Sequence, residues 1–267
     1  MQSEVMRGFA AVNGTKLYYE DTGHGAAVVL IHGLCLSCRM WDSQLDSLVD
    51  RFRVIRYDVR GFGESAVPDK PFRHADDLRA LLDYLDVPRA HIVGLSMGGR
   101  IALQHAVLYP EQCRSLVLVD SAIDGFDWNE NWSVSLDAIR ACAHRGGAKA
   151  ANRMWLGHEL FATARENPEC APKLTEIVEA DSGWIWLHDA LAQGIDPPAR
   201  MRLAEIRVPA LVIVGKRDLP DFHAIADILV AEIPGAARVE MPGVGHMSNM
   251  EDPTAFNELL LGFLPAV

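Results

Sequence analysis

Short continuous apolar runs alternate along this chain with longer stretches whose apolar positions recur at helical spacing. The runs "AAVVLIHG" (26–33), "RVIRYD" (53–58), "AHIVGLS" (90–96), "SLVLVD" (115–120) and "PALVIVGKRD" (209–218) are apolar enough to be buried on both faces. That pattern predicts strands of a parallel sheet. "TKLYYEDTG" (15–23) alternates like an antiparallel strand, and residues 237–241 read as one more. Helices are predicted over 41–50, 73–86, 97–108, 221–232 and 253–264; in the second, Ala75, Leu78, Leu81, Leu82 and Leu85 share a stripe. Strands separated by helices in this way imply an α/β fold, a mostly parallel sheet wrapped by helices.

One interval breaks the rhythm. From Asp120 to Pro209 there is no good strand candidate, whereas "SLDAIRACAHR", "AKAANRMWL", "KLTEIVEA" and "WIWLHDALAQ" have helical character. Trp128, Trp132, Trp155, Trp184 and Trp186, out of six tryptophans, fall in it. The expected organisation is a core from residues 1–120 and 206–267 and a helical cap, 121–205, inserted after the strand that ends at Asp120. Such a cap would lie over the carboxyl edge of the sheet, where open α/β sheets bind ligands. Most of the rings would join cap to body, with one or two of Trp128, Trp155 and Trp186 facing a pocket.

The stretch "HIVGLSMGGR" places Ser96 in the turn between a buried strand and a helix, with glycine at 94 and 98. A serine at the tip of so tight a turn is held in a strained conformation that pushes its hydroxyl out of the sheet, and the glycines remove side chains that would collide across the bend. The amide of Met97 and the positive end of the following helix face the same space. A serine hydroxyl is a poor nucleophile until a base takes its proton, so this reading requires a histidine and an acid to orient it. Asp218 ends an apolar strand in "VGKRDLP", and His246 lies in the glycine-rich loop of "RVEMPGVGHMSNME", the order such sheets demand. Asp120, at the end of the preceding strand, is the rival acid. A second oxyanion donor is expected from the amide of Leu34 in "HGLC", with His32 tying loops together and not serving as base.

Composition narrows the partners. Hydrophobic residues make up 49% of the 267, which suits a globular chain, and the formal charge of −11 repels nucleic acid. The N-terminus lacks the apolar core of a secretory signal, and "AAVVLI" is too short to span a bilayer. Five cysteines, an odd number, suggest reduced thiols in the cytoplasm. Cys35 and Cys38 have C-x-x-C spacing without a second pair or a histidine cluster, so no zinc or other metal is expected.

"HGLCLSCRMW", "RYDVRGFGES", "GLSMGG", "GKRDLP" and "GVGHMSNMEDP", in that order, resemble the α/β-hydrolase superfamily over almost the whole chain. "MWDSQLDSL", "YDVRGFGES" and "GHMSNMEDP" look like its branch of 3-oxoadipate enol-lactonases, small carboxylesterases and cofactor-free haloperoxidases. The resemblance implies an eight-stranded sheet with a helical cap and hydrolysis of a small ester or lactone through an acyl-enzyme, with no cofactor. Ser96 stands where dehalogenases and epoxide hydrolases carry aspartate, which excludes their chemistry. Met247 follows the histidine where carbon-carbon hydrolases usually carry tryptophan; that activity and perhydrolysis are the alternatives on the same triad. A lactone-binding receptor with slow turnover is the alternative of another class. Cys35 and Met247 join the tryptophans as candidate pocket residues, and an acidic substrate, as enol-lactonases take, would call for a cationic group that no residue here can be assigned to. The expected partner is a small molecule, with neither nucleic acid nor membrane, and a homodimer is left open.

Overall fold

The structure, a computed structural model, describes residues 5–188 and 191–264. Eight strands form one sheet: β1 (Met6–Val12), β2 (Thr15–Gly23), β3 (Ala26–Ile31), β4 (Phe52–Tyr57), β5 (Ala90–Leu95), β6 (Cys113–Val119), β7 (Ala210–Gly215) and β8 (Ala237–Met241). Their order is β1-β2-β4-β3-β5-β6-β7-β8; β2 runs antiparallel to both its neighbours, β1 and β4, and all other neighbours pair in parallel. The order reverses between β3 and β5, because β3 is followed by a strand on one side and β5 lies on the other. A crevice opens outside the carboxyl ends at such a switch point. Register sets the level of that crevice: Ile31 pairs with Gly94, Leu95 with Val119, and Val119 with Ile213. The loops after β3, β5, β6 and β7 therefore leave the sheet side by side.

The apolar runs become strands for the reason their composition suggests. Every residue of β5 and β7 is buried, as are all but the first of β3 and of β4 apart from Arg53. Helices α1 (Asp42–Leu48), α2 (His74–Tyr84), α3 (Met97–Leu108), α9 (Pro220–Glu232) and α10 (Pro253–Phe263) follow the predicted helices to within a turn, and the first is led in by a 3₁₀ turn, Cys38–Trp41. Strand β1 was not read from the apolar pattern. It is an edge strand with only Ala10 buried, so no alternation marks it, and it is joined to β2 by Asn13 and Gly14 at φ 47° and 70°.

Between β6 and β7 lie α4 (Glu130–Gly146), α5 (Ala148–Leu156), α6 (Ala162–Glu166), α7 (Cys170–Ala180) and α8 (Ile185–His188), with no named strand among the described residues. The helical run expected over 184–193 is helical only to His188; residues 189–190 lie outside the described residues, and Ala192 forms a parallel bridge with Phe72. This segment holds the body through aromatic edges. Trp184 meets Phe62 and Phe72 at ring distances of 5.8 and 6.2 Å, and Trp128 meets Phe222 at 5.4 Å. No helix among the described residues is long and apolar enough to cross a membrane. All five cysteines are free thiols, four of them buried.

Candidate active site

Strand β5 hands the chain to Ser96 at φ 56° and ψ −113°, and α3 begins one residue later. A non-glycine residue held in the left-handed region costs of order 1–3 kcal/mol unless its surroundings enforce it. Here they do: the Ser96 N–H donates to Val119 O at 2.9 Å, and its carbonyl accepts from Ala122 N and Arg100 N at 3.1 Å each. The close approach of strand and helix explains the glycines. A Cβ on Gly94 would lie 2.2 Å from Gly98 O, and one on Gly98 would lie 2.2 Å from Ile31 O. The half-buried Ser96 lines a cavity of about 380 Å³.

Asp218 and His246 arrive from the next loops. His246 Nδ1–H donates to Asp218 Oδ2 at 2.8 Å, and Leu219 N donates to Asp218 Oδ1 at 2.7 Å. With Nδ1 so engaged, Nε2 is the bare nitrogen, on the far side of the ring. Ser96 and His246 share the lining of a small void with Gly33, Trp155 and Met247. No hydrogen bond joins Ser96 to His246 among the described residues; such bonds are often long before substrate is bound. Phe222 packs on the imidazole at a ring distance of 4.3 Å, limiting its rotation. Burial pushes His246 down to about 4, so the ring is neutral at pH 7, and burial pushes the Asp218 carboxyl well above the usual carboxylate range.

Asp120, the rival acid, is beside this pair but does not bond the imidazole. Its Oδ1 accepts from Gly215 N at 2.7 Å and its Oδ2 from Ser248 Oγ at 2.6 Å. Asp120, Asp218 and His246 are the one trio of metal-ligand types whose donor atoms lie within 4.8 Å of one another among the described residues. Their contacts with Gly215, Leu219, Ser248 and each other engage these atoms already, so the trio is a hydrogen-bonded network and not an open cradle. Sequence reading also missed Glu251, whose Oε2 accepts from Gly245 N at 2.9 Å and Oε1 from Met247 N at 3.1 Å. One carboxylate thus grips the amides on both sides of the histidine, and Thr163 Oγ1 of α6 donates to it at 3.1 Å.

Leu34 and Met97 line the same cavity as Ser96, and neither amide donates to another group among the described residues. Met97 is the first residue of α3, where N–H groups have no helical partner. His32 bridges loops: Nδ1–H donates to Gly33 O at 2.8 Å and Nε2 accepts from Val59 N at 2.9 Å.

Of the candidate pocket residues, Trp128 and Trp155 line the Ser96 cavity, and Met247 lines the void beside His246. Cys35 and Trp186 line neither. Cys35 is wholly buried beside Asp181, and burial followed by that carboxylate pushes its thiol up. Trp186 packs on Trp155 at 5.6 Å and donates from Nε1 to Asn152 Oδ1 at 2.9 Å, facing the interior of the helical segment. The cavity also has polar walls that were not foreseen: His74, Arg100, Asp124 and Arg140. Arg100 Nη1 lies 3.6 Å from Asp124 Oδ1, and Asp124 Oδ2 accepts from Gln104 Nε2 at 2.5 Å. Arg100 stands four residues past Ser96, one helical turn along the same face, which is the signal that could have found it.

The chain is 29% identical to 3-oxoadipate enol-lactonase 2 of Acinetobacter baylyi over 236 residues, which cover 86% of this chain and 85% of that protein. Among solved structures, the enol-lactonase of Burkholderia xenovorans LB400 matches with a TM-score of 0.82 and 30% identity, covering 96% of this chain and 99% of that one. A thermophilic esterase from Thermogutta terrifontis, malate bound, matches with a TM-score of 0.83 and 28% identity, covering 96% and 97%. The family model for the alpha/beta hydrolase fold matches residues 26–253. With that match spanning six of the eight strands and well over half of the chain, the chain belongs to the alpha/beta hydrolase family.

Proposed function

We propose that this protein is a serine hydrolase of small carboxylic esters or lactones. The observation that carries the reading is the 2.8 Å bond from His246 Nδ1 to Asp218, with His246 lining the same small void as Ser96. Ser96 Oγ bonds to the acyl carbon while His246 Nε2 takes its proton. The negative charge that develops on the carbonyl oxygen is held by the amides of Leu34 and Met97; losing one such donor typically costs about 3 kcal/mol of transition-state stabilisation. The carbon–oxygen bond to the leaving alcohol then breaks, and His246 returns the proton to that oxygen. In a lactone the leaving oxygen stays tethered to the acyl chain. Water, deprotonated by His246, releases the acid and regenerates Ser96. Residues 121–205 act as the cap that keeps bulk water from this chemistry. Acid quenching during turnover of p-nitrophenyl butyrate, followed by peptide mass analysis, is expected to find the butyryl group on the Ser96 peptide. An adduct on another residue, or none during an observed burst, would remove the reading.

The base must be neutral to accept a proton, and burial holds His246 down to about 4. Activity is therefore present above that value and lost as pH falls through it. The expected profile of kcat/KM for a neutral ester is level from pH 8 to about 5.5 and declines below, whereas a midpoint near the free-histidine value of about 6.5 would contradict a dry imidazole.

The cationic wall supports a substrate that carries a second, free carboxylate. Arg100 and Arg140 both line the cavity, each beside one carboxylate, Asp124 and Asp137; 3-oxoadipate is a dicarboxylate, and the esterase relative is malate bound. Arg100→Met is expected to lower the preference for a mono-p-nitrophenyl ester of a dicarboxylic acid over the neutral ester of equal length. A ratio of kcat/KM values reduced by about 10–100-fold corresponds to one lost charged hydrogen bond; an unchanged ratio would place the carboxylate elsewhere.

A further inference from the structure

We propose that Asp120 is a positioning residue for this site: its carboxyl, held between the Gly215 amide and the Ser248 hydroxyl, keeps the acid loop and the base loop in register. The inference rests on the hydrolase reading above. The ladder between β6 and β7 ends at Val119 and Ile213, and the Asp120 N–H adds one last bond, to Ile213 O at 2.8 Å. Beyond that point the chain that carries Asp218 would be free of β6 but for the Asp120 side chain, which takes the Gly215 N–H at 2.7 Å, three residues before Asp218. The other oxygen takes the Ser248 hydroxyl at 2.6 Å, two residues after His246. One side chain thus bridges the two segments whose tips form the 2.8 Å pair.

Two further features suit the role. Asp120 is 1% exposed and leaves β6 at φ 43°, a strained placement that aims its carboxyl under the site. It also lies close enough to Asp218 that the two carboxyls cannot both be charged cheaply in a dry interior. Burial and then the Asp218 charge raise Asp120 well above the usual carboxylate range, and burial raises Asp218 likewise. Besides these two acids, Glu251 and His158 are the titratable groups whose charge reaches His246, and neither contacts Asp120 among the described bonds.

The test compares Asp120→Ala, Asp120→Asn and Ser248→Ala with wild type on p-nitrophenyl butyrate, with thermal unfolding recorded for each. Asp120→Ala is expected to lower kcat by about 10–100-fold, the scale of a misplaced reacting group, with KM within about threefold. Its acid limb should move down, because the Asp120 charge opposes the effect of burial on His246. Asp120→Asn is expected to rescue kcat to within about fivefold of wild type, since its carbonyl can accept from Gly215 N while its amide donates to Ser248 Oγ. Wild-type kcat and pH profile in Asp120→Ala, or an asparagine variant no better than alanine, would overturn the inference. If Asp120→Ala fails to fold, Ser248→Ala severs one arm alone; there a severalfold loss of kcat at near-wild-type KM supports the clamp, and full activity refutes it. Ser96→Ala, run in parallel, separates the two claims. Activity surviving in it removes the hydrolase reading itself, whereas an inactive Ser96→Ala beside a fully active Asp120→Ala removes only the role of Asp120.

Discussion

Replacing Ser96 with alanine is expected to lower kcat on short p-nitrophenyl esters by about 10⁴–10⁶-fold, the loss seen when the nucleophile of such a unit is removed. The size follows from what remains. Without the hydroxyl, His246 can only activate water, and the Leu34 and Met97 amides still polarise the carbonyl, so a residual rate above that in water persists. The substitution is small for the fold. The turn at 96 is held by backbone bonds to Val119 and Ala122, which alanine keeps, and thermal unfolding is expected to change little. Labelling by a fluorophosphonate should vanish together with turnover. A variant retaining more than about one per cent of wild-type kcat would place the attacking group elsewhere.

Asp218→Asn is expected to cost about 10⁴-fold in kcat with nearly unchanged geometry, because it changes which nitrogen carries the proton. Asp218 accepts from His246 Nδ1 at 2.8 Å and so keeps Nε2 bare. An asparagine amide can donate to Nδ1 instead, which moves the ring proton to Nε2, where it blocks uptake of the serine proton. Asp120 does not bond the imidazole; its two oxygens accept from Gly215 N and Ser248 Oγ. The check is single-turnover kinetics of Asp218→Asn beside wild type; activity within tenfold would show that another group orients the base.

Much of this site was legible along the chain because it depends on local backbone geometry. Gly94 and Gly98 around Ser96 declare a strand-to-helix bend that no larger residue allows, and the structure holds Ser96 at φ 56° there. Asp218 and His246 could be singled out because each lies on a loop leaving a predicted strand in the required order, the first of them apolar and buried. The rivalry between Asp218 and Asp120 was not decidable in one dimension: both end parallel strands that are adjacent in the sheet. Only the packed loops show one bonded to the imidazole and the other bonded to the chain on either side of it. Strand β1 was missed for a different reason. Its outward residues face solvent and carry no burial pattern, although the Asn13–Gly14 pair before an alternating strand was a hairpin signal in plain view.

Pocket chemistry was the least legible. Arg100, Asp124 and Arg140 come from α3, the loop after β6 and α4, and converge only because the helical segment folds back across the crevice. Cys35, one residue from Leu34 in sequence, turns inward at φ 55° to meet Asp181 instead of lining the cavity. Trp186 likewise belongs to the interior of that segment.

What the amino-acid order alone determined was the alternation of buried strands and helices, the bend at Ser96 and the succession of acid and base, since burial period and backbone permissiveness are properties of neighbours in the chain. The tertiary structure alone decided which acid holds the imidazole, which rings and charges wall the cavity, and how Asp120 and Glu251 steady the histidine loop. Those outcomes are set by contacts between residues far apart in the chain, whose distances exist only once the sheet register and the helical segment are in place.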